Sequence, residues 1–106
     1  MLVDMSKTDI VQIKSDIAET LSREPEVDKI ILFGSFLKEN TPHDIDIAVF
    51  QSSDKDYLTL ALKYRKLLRH ISKHIPVDII PLKHDAADYF TIAEINKGEI
   101  IFERRN

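Results

Sequence analysis

The chain has 106 residues, a net charge of −3 at neutral pH and no cysteine. That length suits one domain, residues 1–106, which can bury roughly 65% of its unfolded surface and needs no covalent staple. Without cysteine there is no disulfide, no thiolate zinc site and no cysteine nucleophile, and the composition fits a reducing, cytoplasmic setting. The acidic balance argues against a bulk nucleic-acid binder and leaves room for a local basic patch. Asp4, Lys7 and Asp9 interrupt the apolar residues near the N-terminus, so residues 1–14 read as neither signal peptide nor membrane span.

In chain order, Ser6-Lys7-Thr8-Asp9 resembles a capping box. Ile10, Ile13, Ile17 and Leu21 then recur at helical spacing, which predicts an amphipathic helix over 7–23, stopped by Pro25. Residues 27–33 read as a strand; Ile30-Ile31-Leu32-Phe33 is apolar on both faces, as in a strand covered on both sides. Gly34-Ser35 breaks the run, 36–39 has the composition of a short helical turn, and Asn40-Thr41-Pro42-His43 is turn chemistry. Residues 44–50 form a second predicted strand. Ser52, Ser53 and Asp54 offer N-caps for a long helix over 55–74, with Leu60, Tyr64, Leu67, Leu68, Ile71 and Ile75 as its apolar stripe and Pro76 beyond its end. A third strand follows at 77–82, a helix at 85–96 with Gly98 as its C-terminal cap, and a short strand at 99–103. The alternation predicts an α/β (α+β) domain in which helices pack on a small mixed sheet of four strands.

The second strand carries an oddity. Asp44-Ile45-Asp46-Ile47 puts two acids at the start of an otherwise apolar strand, although acids are depleted in strands and buried charge is costly unless paired or metal-bound. Side chains alternate across a strand, so Asp44 and Asp46 share one face while Ile45 and Ile47 point to the other. A hard cation such as Mg²⁺ would join the two carboxylates. Asp78, at the start of the third strand, reaches the same place if that strand lies beside the second. Three carboxylates suffice for two-metal phosphoryl or nucleotidyl transfer. Gly34-Ser35, where a strand turns toward a helix, offers free backbone N–H groups for phosphate, close backbone approach and a hydroxyl donor.

"LFGS", then "DIDIAV", then "VDII" resembles the minimal nucleotidyltransferases of the DNA polymerase β superfamily, over residues 27–103 in element order. The resemblance implies a polymerase β palm-like fold. It implies that Gly34 and Ser35, with Lys38 as the basic residue, hold the β and γ phosphates of ATP or another nucleoside triphosphate. It implies that Asp44, Asp46 and Asp78 ligate Mg²⁺, and that Asp78 helps deprotonate the attacking hydroxyl. It also implies a partner: minimal nucleotidyltransferases pair with small helical HEPN-domain toxins and act as the antitoxin, in some cases by adding AMP to a toxin tyrosine. The sequence departs from the family pattern at Glu39, where glycine is expected, and at His43, often serine, and the loop from Ser35 to Asp44 is shorter than usual.

Three readings therefore stand: a Mg²⁺-dependent protein adenylyltransferase; an antitoxin or nucleotide-binding module that acts on its partner by contact; and, third, a nucleotide sensor or regulatory subunit that binds ATP without transfer. Lys63, Arg65, Lys66, Arg69 and Lys73 make a cationic helix surface, read first as solvated; RNA is the less favoured ligand for it. His70 and His74 are one turn apart but lie among basic residues, which argues against a metal role. Tyr57, Tyr64 and Tyr89 read as packing residues. A homo- or hetero-oligomer is expected, and an exposed apolar patch within 57–75 or 86–95 would support one.

Overall fold

A computed structural model of the chain describes residues 7–34, 44–85 and 88–105. The elements run α1 (Lys7–Ser22), β1 (Val27–Phe33), β2 (Ile45–Gln51), α2 (Tyr57–Leu67), α3 (Arg69–Ser72), β3 (Val77–Leu82), α4 (Tyr89–Ile95) and β4 (Glu99–Glu103). The strands form one sheet in the order β3-β2-β1-β4. β1 pairs antiparallel with both β2 and β4, whereas β2 and β3 are parallel, so the sheet is mixed. The parallel pair requires a crossover, and α2 and α3 supply it.

The two faces of the sheet are covered unequally. On one, Val27, Ile30, Leu32, Ile45, Ile47, Val49 and Ile79 pack with Ile17 and Leu21 of α1, Leu60 and Tyr64 of α2, and Leu68, Ile71 and Ile75. On the other, Ile31, Ala48 and Phe50 meet Ile95 of α4, with Phe33, Leu82 and Ile92 at the margin. Strand alternation sorts these sets, except that Val27 and Ile30 share a face. A bulge between Val27 and Lys29 inserts the extra residue that makes this possible.

The predicted strands match within a residue; the helices differ more. α1 ends at Ser22, and Glu24 N–H donates to Leu21 C=O at 3.1 Å to close the turn before Pro25. The long helix over 55–74 is two helices interrupted at Leu68, whose φ of −98° and ψ of 15° leave the helical region. Its N-cap is Asp56, accepting from Thr59 N–H at 2.8 Å. Ser53 is engaged elsewhere: its N–H and its hydroxyl both donate to Gln51 Oε1 at 2.7 Å. α4 begins later than expected, capped by Asp88 through Thr91 N–H at 2.8 Å, and ends with Asn96 at the C-cap. Gly98 is not a left-handed cap, because Gly34 is the only positive-φ glycine among the described residues. Glycine is needed at 98 for space: a Cβ there would run into Leu32 C=O and lie 2.9 Å from Phe33 Cβ. The capping serine at position 6 and the short helix expected over 36–39 lie outside the described residues.

α2 is tied to the start of β1 by a polar staple. The Tyr64 hydroxyl, fully buried, donates to Glu26 at 2.8 Å, and Lys63 bridges Glu24 at 2.6 Å and Glu26 at 3.0 Å. Lys63 thus leaves the expected solvated cationic face. Tyr64 packs as expected, whereas Tyr57 is exposed.

Candidate active site

The site is built at the end of the sheet where β1 finishes and β2 and β3 begin. Phe33 and Asp78 flank Asp46 in register, one on each neighbouring strand. Ile45 N–H donates to Pro76 C=O at 2.9 Å, which pins the start of β2 to the entry of β3. Because Ile45 and Ile47 face the larger core, Asp46 lies on the opposite face, the one shared with Ala48 and Phe50. Asp78 follows Asp46 there, since laterally paired residues on adjacent strands point to the same side.

Gly34 closes the β1 side. Its φ is +81°, a conformation that L side chains rarely adopt, and a Cβ there would collide with the Asp46 carboxylate. The absent side chain at 34 therefore makes room for Asp46 itself. Ser35 and Lys38, the other expected phosphate ligands, lie outside the described residues, as do Glu39 and His43.

The electrostatics are those of crowded like charges. Burial pushes the Asp46 carboxyl up, and the charges of Asp44 and Asp78 push it further, to about 6. Asp46 therefore feels both other acids across the ends of two strands. Among the described residues, however, no three His, Cys, Asp or Glu side chains stand close enough to surround a metal ion. Asp78 lies on an edge strand and is largely exposed; its Oδ1 is 3.8 Å from Arg65 of α2. The donor set still suits Mg²⁺: hard carboxylate oxygens whose mutual repulsion a divalent cation would relieve.

Arg65 was not singled out for the site by sequence reasoning. It stands in the cationic run of α2, and only the placement of α2 beside the edge strand β3 brings its guanidinium near Asp78. His70 is 3.0 Å from Asp16 and His84 is 3.1 Å from Asp28, both away from the three acids.

A small mixed sheet with a glycine turn on one strand and paired acids on the next two defines a nucleotidyltransferase palm. The sequence profile of the family described as "Polymerase beta, Nucleotidyltransferase" matches residues 15–106, and the chain belongs to that family. Solved structures agree on the fold. The toxin–antitoxin structure MntA–HepT superposes with a TM-score of 0.66 at 22% identity, over 89% of this chain and 73% of that one. A tri-AMPylated HEPN toxin from Shewanella oneidensis in complex with MNT antitoxin gives 0.61 at 23% identity, over 90% and 73%. No curated protein matches the chain. No described helix is long and apolar enough to cross a membrane.

Proposed function

We propose that the chain is a cytoplasmic, Mg²⁺-dependent nucleotidyltransferase that moves a nucleoside monophosphate, AMP in the first instance, from its triphosphate to a hydroxyl of a HEPN-domain toxin, and so serves as the antitoxin. The observation that carries this reading is the placement of Asp46 between Gly34 and Asp78, where burial first, and then the charges of Asp44 and Asp78, raise Asp46 to about 6. Family membership and the AMPylated toxin in the Shewanella oneidensis complex support it.

Asp44 and Asp46 would hold Mg²⁺, with Asp78 completing the set. Bound there, the metal supplies charge neutralisation for the triphosphate and for the negative charge that grows at the α-phosphate. Gly34, Ser35 and Lys38 would bind the β and γ phosphates. Asp78, on the exposed edge strand, faces the side from which a large acceptor can approach. The acceptor oxygen bonds to the α-phosphorus, its proton passes to Asp78, the bridging P–O bond breaks and pyrophosphate leaves. Gly34 and Asp46 fix the donor; the open β3 edge leaves the acceptor free to be a folded protein.

The test is to incubate the protein with Mg²⁺, a purified HEPN-domain protein from the same host, and each ribonucleoside triphosphate in turn, radiolabelled at the α-phosphate. A labelled toxin band that vanishes with Asp44→Asn/Asp46→Asn establishes the transfer and identifies the base. The second reading, a module acting by contact alone, is favoured by Glu39 at the expected glycine. It gains if the toxin binds and is silenced with no label from any nucleotide.

A further inference from the structure

We propose that the outward stripe of α2, formed by Leu58, Leu62 and Arg65 and flanked by Lys66 and by Arg69 at the start of α3, is the surface on which the acceptor protein docks, through a helix whose apolar side chains are rimmed by Asp and Glu. This deepens the transferase reading and rests on it.

The stripe follows from helical spacing. Leu58, Leu62 and Arg65 are i, i+4 and i+7 and so lie in one line along α2. Leu60, Ala61 and Tyr64 are buried against the sheet, which turns that line to solvent. Leu58 is 66% exposed and Leu62 57% exposed, two large aliphatic side chains one turn apart with nothing covering them among the described residues. Isolated exposed leucines need no explanation; here two lie one turn apart beside exposed basic side chains.

The charge beside the pair selects the occupant. Lys66 and Arg69 are exposed, and neither makes an ion pair among the described residues. Arg65 has only the long contact to Asp78. An exposed pair of that length is worth little, so its guanidinium is available to a better acid. The cationic rim belongs to a chain whose net charge is −3, so the acids of the chain are concentrated elsewhere. An amphipathic helix with acidic flanks complements both parts, its leucine-type side chains against Leu58 and Leu62 and its acids against the rim. RNA fits less well: the stripe presents aliphatic side chains where single strands want aromatic stacking platforms.

Position completes the argument. α2 packs on the larger-core face, yet the Arg65 side chain reaches round the edge strand to Asp78 on the other. The stripe therefore runs up to the acid expected to take the acceptor's proton. A protein seated on α2 lies beside the candidate site without blocking Gly34, on the far side of β2.

The experiment is a calorimetric titration of a purified HEPN-domain protein from the same host into this protein without nucleotide. Docking on the stripe predicts that Leu58→Glu/Leu62→Glu weakens binding by about 30-fold or more. Arg65→Glu/Arg69→Glu should weaken it by about 10-fold, with a difference from the parent that shrinks at high salt. Circular dichroism checks the fold, and Leu58→Gln/Leu62→Gln replaces the glutamate pair if that pair unfolds. Mg-ATP binding, read as a thermal shift, stays intact in the leucine variants. No binding by the parent protein, or unchanged affinity in both leucine variants, overturns the proposal. So does loss of binding to a single-stranded RNA probe in the arginine variant while the HEPN protein binds normally. Asp46→Asn separates the two readings: it should abolish transfer and leave docking unchanged. If it leaves transfer intact, the transferase site is wrong and the dock stands.

Discussion

The two faces of the sheet do different jobs. The face under α1, α2 and α3 is a continuous aliphatic core, with Ile17, Leu21, Ile30, Leu32, Ile47, Leu60 and Tyr64 fully excluded from water. The face under α4 has a small core of Ile31, Ala48, Phe50 and Ile95, and the acids stand on its open end. A carboxylate forced into the first face would face a dry environment and be neutralised or expelled. On the second, Asp46 is only half-buried, so it can keep its charge at neutral pH despite two acidic neighbours. One strand thus carries both sets, with Ile45, Ile47 and Val49 holding the fold and Asp46 on the opposite face, where the proposed chemistry would use it with Asp44.

The sharpest way to break this division is Asp46→Asn. If the proposed site is right, it should reduce labelling of the acceptor by about 10³-fold or more, by removing a proposed Mg²⁺ ligand. It should also stabilise the metal-free protein, by about 1 kcal/mol after allowance for solvent screening, since the desolvation cost of the carboxylate and its repulsion by Asp44 and Asp78 both disappear. A fall in activity joined to a rise in Tm separates a functional acid from a structural one; a fall in both would mean Asp46 holds the fold. On the opposite face, Ile47→Ala should cost about 2–4 kcal/mol in urea unfolding, the transfer loss plus a cavity. Gly34→Ala should cost about 1–3 kcal/mol from its positive φ and the clash with Asp46, and should impair transfer as well.

The staple between α2 and β1 gives the smallest effects. Tyr64→Phe should cost about 1 kcal/mol, because it removes one of the two hydrogen bonds to Glu26 Oε2 and leaves Lys63 as the remaining donor. Burial pushes the Glu26 carboxyl up, but hydrogen bonds from Tyr64, its own backbone and Lys63, with the Lys63 charge, outweigh this and hold it below its ordinary value. A lowered acid stabilises the fold above its unfolded-state pKa and loses that contribution as pH falls through the folded value. The stability difference between parent and Glu26→Gln should therefore be full at neutral pH and shrink in the acid limb below about pH 4.

How far this was legible in the sequence depends on the range of the interaction. The strands could be read because apolar runs and Pro or Gly boundaries are local signals. The Asp44 and Asp46 pair could be read because alternation is local too. The break at Leu68 could not: Leu68 fits the apolar stripe and is fully buried, so nothing in its local sequence marks the interruption. The cap at Asp56 was hidden among four eligible residues, and only the grip of Gln51 on Ser53 removes one of them. Gly98 looked like a helix terminator because its true constraint, the approach of Leu32 C=O, comes from a strand 66 positions earlier in the chain. The register of Asp46 with Asp78 and the reach of Arg65 both depend on β3 lying parallel at the edge, a pairing that residues 77–82 do not encode by themselves.

The outer position of β4 governs the order in which the molecule can assemble. β1 lies between β2, which follows it closely, and β4, which follows every other described element. Until β4 docks, one edge of β1 has no partner, and an unpaired edge of that kind is open to pairing with other chains. The closure is long-range, so the loop entropy of bringing β4 back makes it a slow step. Arg104 then acts as a latch: its side chain donates to Val27 C=O and Ser22 C=O at 3.0 Å, and its backbone N–H donates to Asp28 C=O at 2.8 Å. A newly made chain is therefore at its most aggregation-prone just before these bonds form.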